Sequence, residues 1–206
     1  MPSSQFENET RSNTKKLFKY KILTKTIYIM PKILAFGAST STHSINKQFA
    51  AYAAGRVPGA DVDLIDLNDF STPIYSVNQE SAQGIPQGAK DFVAAIEAAD
   101  GIIVSFAEHN GSYAAAFKSL FDWGTRHKQK VWSDKPMLLL STSPGGRGGA
   151  TVLAAAEGSF PHLGGKIVAT FALPSFQDNF SETAGITDPA LKAEFAKAAA
   201  QFVTAL

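Results

Sequence analysis

The chain reads as a doubly wound α/β domain built on a five-stranded parallel sheet of order 2-1-3-4-5, and three observations lead there. From Met30 onward, short apolar runs alternate with amphipathic stretches of helical period, the pattern of a parallel sheet covered by helices on both faces. The runs are continuous, as strands buried on both sides require. The 206 residues, 45% of them apolar, give room for one such domain with a core that needs no metal or disulfide.

The strands are expected at 32–37, 62–67, 101–107, 136–142 and 166–173. Between them the first helix carries Ile45, Phe49 and Ala53 at a spacing of four, with Ala50 and Val57 widening the stripe. Phe92, Val93 and Ile96 mark the second, and Ala114, Phe117, Leu120 and Phe121 form the apolar face of the third. A fourth begins near Gly148 and runs through Val152 and Leu153. The last opens at Asp188-Pro189, an N-cap followed by proline at the first helical position, and shows Leu191, Phe195 and Phe202 on one side. The connections 68–87 and 174–187 are long, and loops of that length in a compact domain often serve as lids or subunit contacts.

Composition excludes whole classes of chemistry. There is no cysteine, hence no disulfide, thiolate metal site, iron–sulfur cluster or thiol nucleophile. A formal charge of +1 gives no electrostatic case for nucleic acid or membrane surfaces as partners. The charge is uneven. Residues 1–30 hold Arg11, Lys15, Lys16, Lys19, Lys21 and Lys25 against Glu7 and Glu9, so the remainder carries a net −3. That segment also lacks Ala and Gly, in which the rest is rich. Its apolar patch, Ile22 to Met30, is broken by Lys25 and has neither the span of a membrane helix nor the pattern of a secretory signal. Residues 1–29 are therefore expected to be a disordered or non-native extension with a natural start at Met30, and 30–206 to be the domain of a cytoplasmic protein.

In open α/β sheets the ligand lies beyond the carboxyl ends of the strands, where the strand order reverses. For this order the loops after strands one, three and four are the ones to read, and each has unusual composition. The first, Gly37 to Asn46, offers the hydroxyls of Ser39, Thr40, Ser41, Thr42 and Ser44 at a helix start. Hydroxyls and free N–H groups at a helix N-terminus are what a phosphate needs, and Ser44 also fits a plain N-cap. The second, Glu108-His109-Asn110-Gly111-Ser112-Tyr113, has small residues that allow close backbone approach to a planar ring, and Asn110-Gly111 also spells a turn. The third, Ser143-Pro144-Gly145-Gly146-Arg147-Gly148-Gly149, is too glycine-rich to be cheap unless its backbone packs tightly or donates N–H groups. It leads into a helix start and is expected to aim amides and the positive helix end at a ligand, with Arg147 either adding a charge there or facing solvent.

Rival motifs fail. There is no dinucleotide G-x-G-x-x-G at Gly37, no P-loop and no G-x-S-x-G elbow. Ser44-Ile45-Asn46-Lys47 matches S-x-x-K without its companion motifs. Of the histidines, His43 and His109 sit in the candidate loops while His127 and His162 do not, and no pair has metal-ligand spacing, so no metal is assigned.

Together the three loops resemble the NAD(P)H-dependent FMN reductase family of the flavodoxin-like superfamily. The resemblance covers about residues 31–206. It rests on Ser44-Ile45-Asn46, on Ala107 to Ser112, on Phe117-Lys118-Ser119-Leu120-Phe121-Asp122-Trp123, and on Ser143 to Gly149. It implies that Ser39, Ser41, Ser44 and Asn46, with Ile45 between them, hold the FMN phosphate. It implies that Glu108, His109, Asn110, Gly111 and Ser112 line the isoalloxazine, and that Ser143, Pro144, Gly145, Gly146 and Arg147 contact its pyrimidine side. The sequence departs from the family at Ser41 or a neighbour, where an arginine is common, and at Ala107 and His109, where Pro and Tyr are usual. The family usually forms a homodimer or homotetramer with Lys118, Asp122 and Trp123 near the subunit contact, although Trp123 and Phe121 equally fit core positions.

The implied activity is hydride transfer from NADPH or NADH through bound FMN to a small-molecule substrate: a flavin, quinone, azo compound or metal oxyanion. The flavin carries the chemistry and no side chain need act as acid or base. The rival reading is a flavodoxin-type single-electron carrier that never meets NAD(P)H; a net charge of only −3 over the body lacks the acidic face such carriers use for steering. Deletion of residues 1–29 is expected to leave FMN binding and melting temperature unchanged, as flavin fluorescence quenching and thermal denaturation will show; a fall in either would mean the extension docks on the domain.

Overall fold

The computed structural model describes residues 18–22 and 25–206. Its main sheet has five parallel strands: β1 (Lys32–Ala38), β2 (Asp61–Leu64), β3 (Gly101–Phe106), β4 (Pro136–Thr142) and β5 (Lys166–Leu173). Their order is β2-β1-β3-β4-β5, as the alternation of apolar runs and helices predicts. Register brings Leu34 opposite Ile102, and Val104 opposite Leu139.

Alternate residues of each strand serve opposite faces. On one side Leu34, Phe36, Ile102, Val104 and Leu139 pack with Phe92, Phe117, Trp123, Val152 and Phe160. That layer consists of α3 (Gln87–Ala98), α4 (Ala115–His127) and α5 (Ala150–Ser159). On the other side Ile33, Ala35, Ile103, Leu138 and Leu140 pack with Phe49, Phe195 and Phe202, from α1 (Ile45–Ala54) and α7 (Pro189–Ala205). Asp188 caps α7 as expected, its carboxylate accepting the Leu191 N–H at 2.8 Å.

Strand β2 departs from expectation. It is shorter than 62–67, and its Asp-Val-Asp-Leu sequence is largely exposed because it is an edge strand. The connection 68–87 holds α2 (Val77–Gln83) and is strapped onto α4. The Pro73 carbonyl accepts both the Trp123 indole N–H at 2.8 Å and the Ser119 hydroxyl at 3.0 Å, and Tyr75 packs edge-on against Trp123. Trp123 and Phe121 are thus core residues of this chain. The connection 174–187 contains α6 (Phe176–Asn179) and a small ribbon, Phe180–Ser181 with Gly185–Ile186.

Most of the segment expected to lack structure, 1–17 with 23 and 24, lies outside the described residues. Phe18–Ile22 and Lys25–Ile29 pair antiparallel as a two-stranded ribbon separate from the main sheet. Among the described residues no helix is long and apolar enough to cross a membrane.

Candidate active site

Strand β1 delivers the first loop to α1 through a close approach that only glycine permits. A Cβ at Gly37 would lie 2.4 Å from the Lys47 backbone nitrogen. Beyond it the loop folds on itself: the Ser41 N–H donates to Ser39 Oγ at 3.2 Å, and Ser44 N–H to the Ser41 carbonyl at 3.2 Å. Ser44 caps α1 by accepting the Lys47 N–H at 3.2 Å, which leaves its hydroxyl proton free to donate. The first-turn amides of Ile45 and Asn46 have no acceptor within the helix.

The Asn46 side chain does something the motif does not announce. It is 3% exposed, and its Oδ1 accepts the Ser105 hydroxyl at 2.7 Å and the Thr142 N–H at 3.1 Å, while its Nδ2 donates to the Thr142 carbonyl at 3.1 Å. Asn46 therefore ties the start of α1 to the ends of β3 and β4.

The second loop is a two-residue ribbon pairing Glu108–His109 with Ser112–Tyr113. Asn110 (φ 52) and Gly111 (φ 75) at its tip are both left-handed, the backbone that tight two-residue hairpins demand and that Asn-Gly supplies. In the third loop Gly148 (φ 58) and Gly149 (φ 78) are also left-handed. Its carbonyls serve the chain that follows β5: Ser175 N–H donates to Gly145 and Phe176 N–H to Ser143, both at 3.0 Å.

A cleft of about 230 Å³ opens where these loops meet. Ser39, Ser41, Ser44, Ile45, Asn46, Glu108, His109, Ser143 and Pro144 line it, joined by His43, Ala107 and Thr142. Asn110, Gly111, Ser112, Gly145, Gly146 and Arg147 lie off its wall. Arg147 is exposed and donates to Thr151 Oγ1 at 2.7 Å. Within the third loop Gly148 and Gly149 meet local turn geometry, and the start of α5 receives the Glu108 carboxylate, which accepts the Val152 N–H at 2.9 Å. Thr142 was legible as the last residue of a predicted strand, and His43 as a member of the first loop. Larger hollows exist. One of about 480 Å³ runs between α1 and α7, away from the reversal of strand order; another of about 350 Å³ lies between the 67–74 segment and α4, touching the first loop only at Thr40.

Charge around the first loop is held in place. Lys47 Nζ lies 2.5 Å from Asp66 Oδ2, and Asp66 also accepts the N–H and side-chain amide of Asn68. Asn68 Nδ2 in turn reaches the Thr40 carbonyl at 3.2 Å. The hydrogen bond from Lys47, with the Asn68 N–H second, holds the Asp66 carboxyl below the usual carboxylate range. Among the described residues no lysine or arginine lines the cleft. A phosphate-bearing planar ligand fits this donor set: hydroxyls and helix-start amides for the anion, small residues and an imidazole for the ring.

The comparisons agree with this geometry. A family model described as NADPH-dependent FMN reductase matches residues 31–178. An NAD(P)H-dependent FMN reductase of Pseudomonas aeruginosa is 32% identical over 115 residues, covering 55% of this chain and 60% of that protein. A 2-hydroxy-1,4-benzoquinone reductase of a Burkholderia species is 31% identical over 134 residues, covering 64% and 71%. The chain thus spans less than two thirds of the first of these relatives. Among solved structures, the flavoenzyme NAD(P)H:(acceptor) oxidoreductase FerB of Paracoccus denitrificans superposes with a TM-score of 0.65 at 22% identity, over 85% of this chain and 97% of that one, a likeness of fold.

The Asp66–Lys47 pair gives a pH dependence of definite sign. A carboxyl whose folded-state pKa is depressed adds stability above its unfolded value and loses it as pH falls through the folded one. Asp66→Asn is therefore expected to lower the melting temperature at pH 7, with the deficit shrinking below about pH 4. The effect is modest because both side chains are about one-third exposed. A deficit that does not vary with pH would show that the charge of Asp66 adds nothing to stability.

Proposed function

Because this chain belongs to the NADPH-dependent FMN reductase family, we propose that it holds FMN in the cleft at the ends of β1, β3 and β4 and reduces a small-molecule acceptor at the expense of NADPH or NADH. FMN, when bound, supplies hydride chemistry, accepting two electrons and a proton from the nicotinamide and returning them to the acceptor. The residues of the chain bind and orient. Ser39, Ser41 and Ser44 offer hydroxyls, and Ile45 and Asn46 helix-start amides, to the phosphate. Ala107 and His109 on one side, Thr142 to Pro144 on the other, wall the ring. The observation that carries the reading is the convergence of these neutral donors at the reversal of strand order, with the nearby lysine already spoken for by Asp66. The quinone-reducing relative supports quinones among the acceptors.

We also propose a homodimer. Its support is the strap over α4, where Ile74 is 83% and Val77 66% exposed, apolar surface that a second subunit would cover. Ile74→Lys is expected to shift the protein toward monomer in sedimentation analysis, and an unchanged mass would place the contact elsewhere.

The functional test is binding followed by reduction. FMN is expected to lose fluorescence on mixing with the protein, and its visible band to bleach when NADPH or NADH is added without oxygen. Ser44→Ala removes a helix cap and a phosphate donor and is expected to cost about 1–3 kcal/mol of FMN affinity, while riboflavin, which lacks the phosphate, loses far less. Equal losses for the two ligands would confine Ser44 to folding, and bound flavin that neither nucleotide bleaches would favour a single-electron carrier.

A further inference from the structure

Glu108 lies on the cleft wall, yet its carboxylate is used elsewhere. Oε2 accepts the Val152 N–H at 2.9 Å, and Val152 is the third residue of α5. The N-cap of that helix is Gly149, which has no side chain to cap with. Glu108 supplies the missing acceptor from the second loop. The fit is close: a Cβ on Gly149 would sit 3.7 Å from Glu108 Cβ and 3.0 Å from Ser141 Cβ. One carboxylate thereby fastens the 108–113 ribbon to α5 and neutralises the positive end of that helix.

We propose that Glu108 is a positioning and tuning residue: its capping carboxylate locks the second cleft loop to the helix that follows the third and holds down the reduction potential of flavin bound in the cleft. The tuning rests on the reading that FMN occupies this cleft. Hydride uptake adds two electrons and one proton, so the ring gains one negative charge. A carboxylate on the wall opposes that gain and a helix N-terminus favours it; paired as they are here, the two nearly cancel. Among the described residues no cation lines the cleft to take over: Lys47 is paired with Asp66, and Arg147, which keeps its charge while donating to Thr151, lies off the wall. His43 and His109 share the wall and are the same in every variant, so the comparison is made between variants at one fixed pH.

Two variants of the full chain separate charge from hydrogen bond. Glu108→Gln keeps an acceptor for Val152 and drops the charge; Glu108→Ala drops both. The readouts are the melting temperature of the protein without flavin, and the midpoint potential of bound FMN in an anaerobic dithionite titration against a reference dye. E108Q keeps the hydrogen bond but loses the charge–dipole attraction, and is expected to melt between the parent and E108A while its FMN potential rises. E108A is expected to melt about 2–4 °C lower, the shift of a lost cap in a chain of this size, and to bind FMN more weakly. An E108Q potential equal to the parent's overturns the tuning, and an E108A melting temperature equal to the parent's overturns the latch. Parent protein that takes up no FMN overturns the reading on which the tuning rests, and with it the tuning; the flavin-free melting comparison still judges the latch by itself.

Discussion

The cleft depends on one buried amide. Asn46 projects from the first turn of α1 into the sheet and spends three hydrogen bonds there, on Ser105, on the Thr142 N–H and on the Thr142 carbonyl. A buried polar group without a partner costs about 1–3 kcal/mol, so an apolar side chain at this position would strand three such groups at once. Gly37 is the complement of that tie. Its lack of a Cβ lets α1 come down onto the end of β1, and Asn46 then fixes how far the first loop stands from the other two. The Thr142 hydroxyl continues the chain of constraint to the Leu173 carbonyl at the end of β5.

Electrostatics around the cleft follow the same logic of prior commitment. Lys47 belongs to Asp66, Arg147 to Thr151 and Glu108 to the start of α5. An anion entering the cleft meets dipoles rather than free charges: hydroxyls and helix-start N–H groups fixed by the fold. Such donors need little rearrangement on binding, whereas a lysine would first have to be drawn away from its carboxylate.

How much of this could be read in the sequence depended on whether the signal was periodic or relational. Continuous apolar runs placed β1, β3, β4 and β5 to within a residue or so, and Asp188-Pro189 placed the start of α7. Strand β2 was misjudged as buried on both faces because its neighbourhood, an open edge, is a property of the sheet and not of Asp61 to Leu64. The glycine-rich loop shows the limit more sharply. Composition says that its backbone is special, but not that its carbonyls anchor Ser175 and Phe176. Trp123 fitted the core and a subunit contact equally well until the Pro73 carbonyl decided for the core. Asn46 was visible as part of Ser-Ile-Asn, yet no spacing rule tells that its amide turns inward.

These ties share one feature: each cleft loop is held by a residue from a different segment. Asn68 reaches the first loop from beyond β2, Asn46 joins the first loop to the third, Glu108 joins the second to the helix after the third, and Ser175 and Phe176 hold the third from beyond β5. Loops fixed in this way are ordered by the fold, so a ligand does not have to supply the free energy of ordering them. The cleft they enclose, about 230 Å³, is below the roughly 300–1,000 Å³ of pockets that engulf a whole ligand. Rigid walls around a shallow seat suit the proposed chemistry. A cofactor held by one end and one face leaves its other face open, and two substrates that must visit in turn need that opening more than they need enclosure.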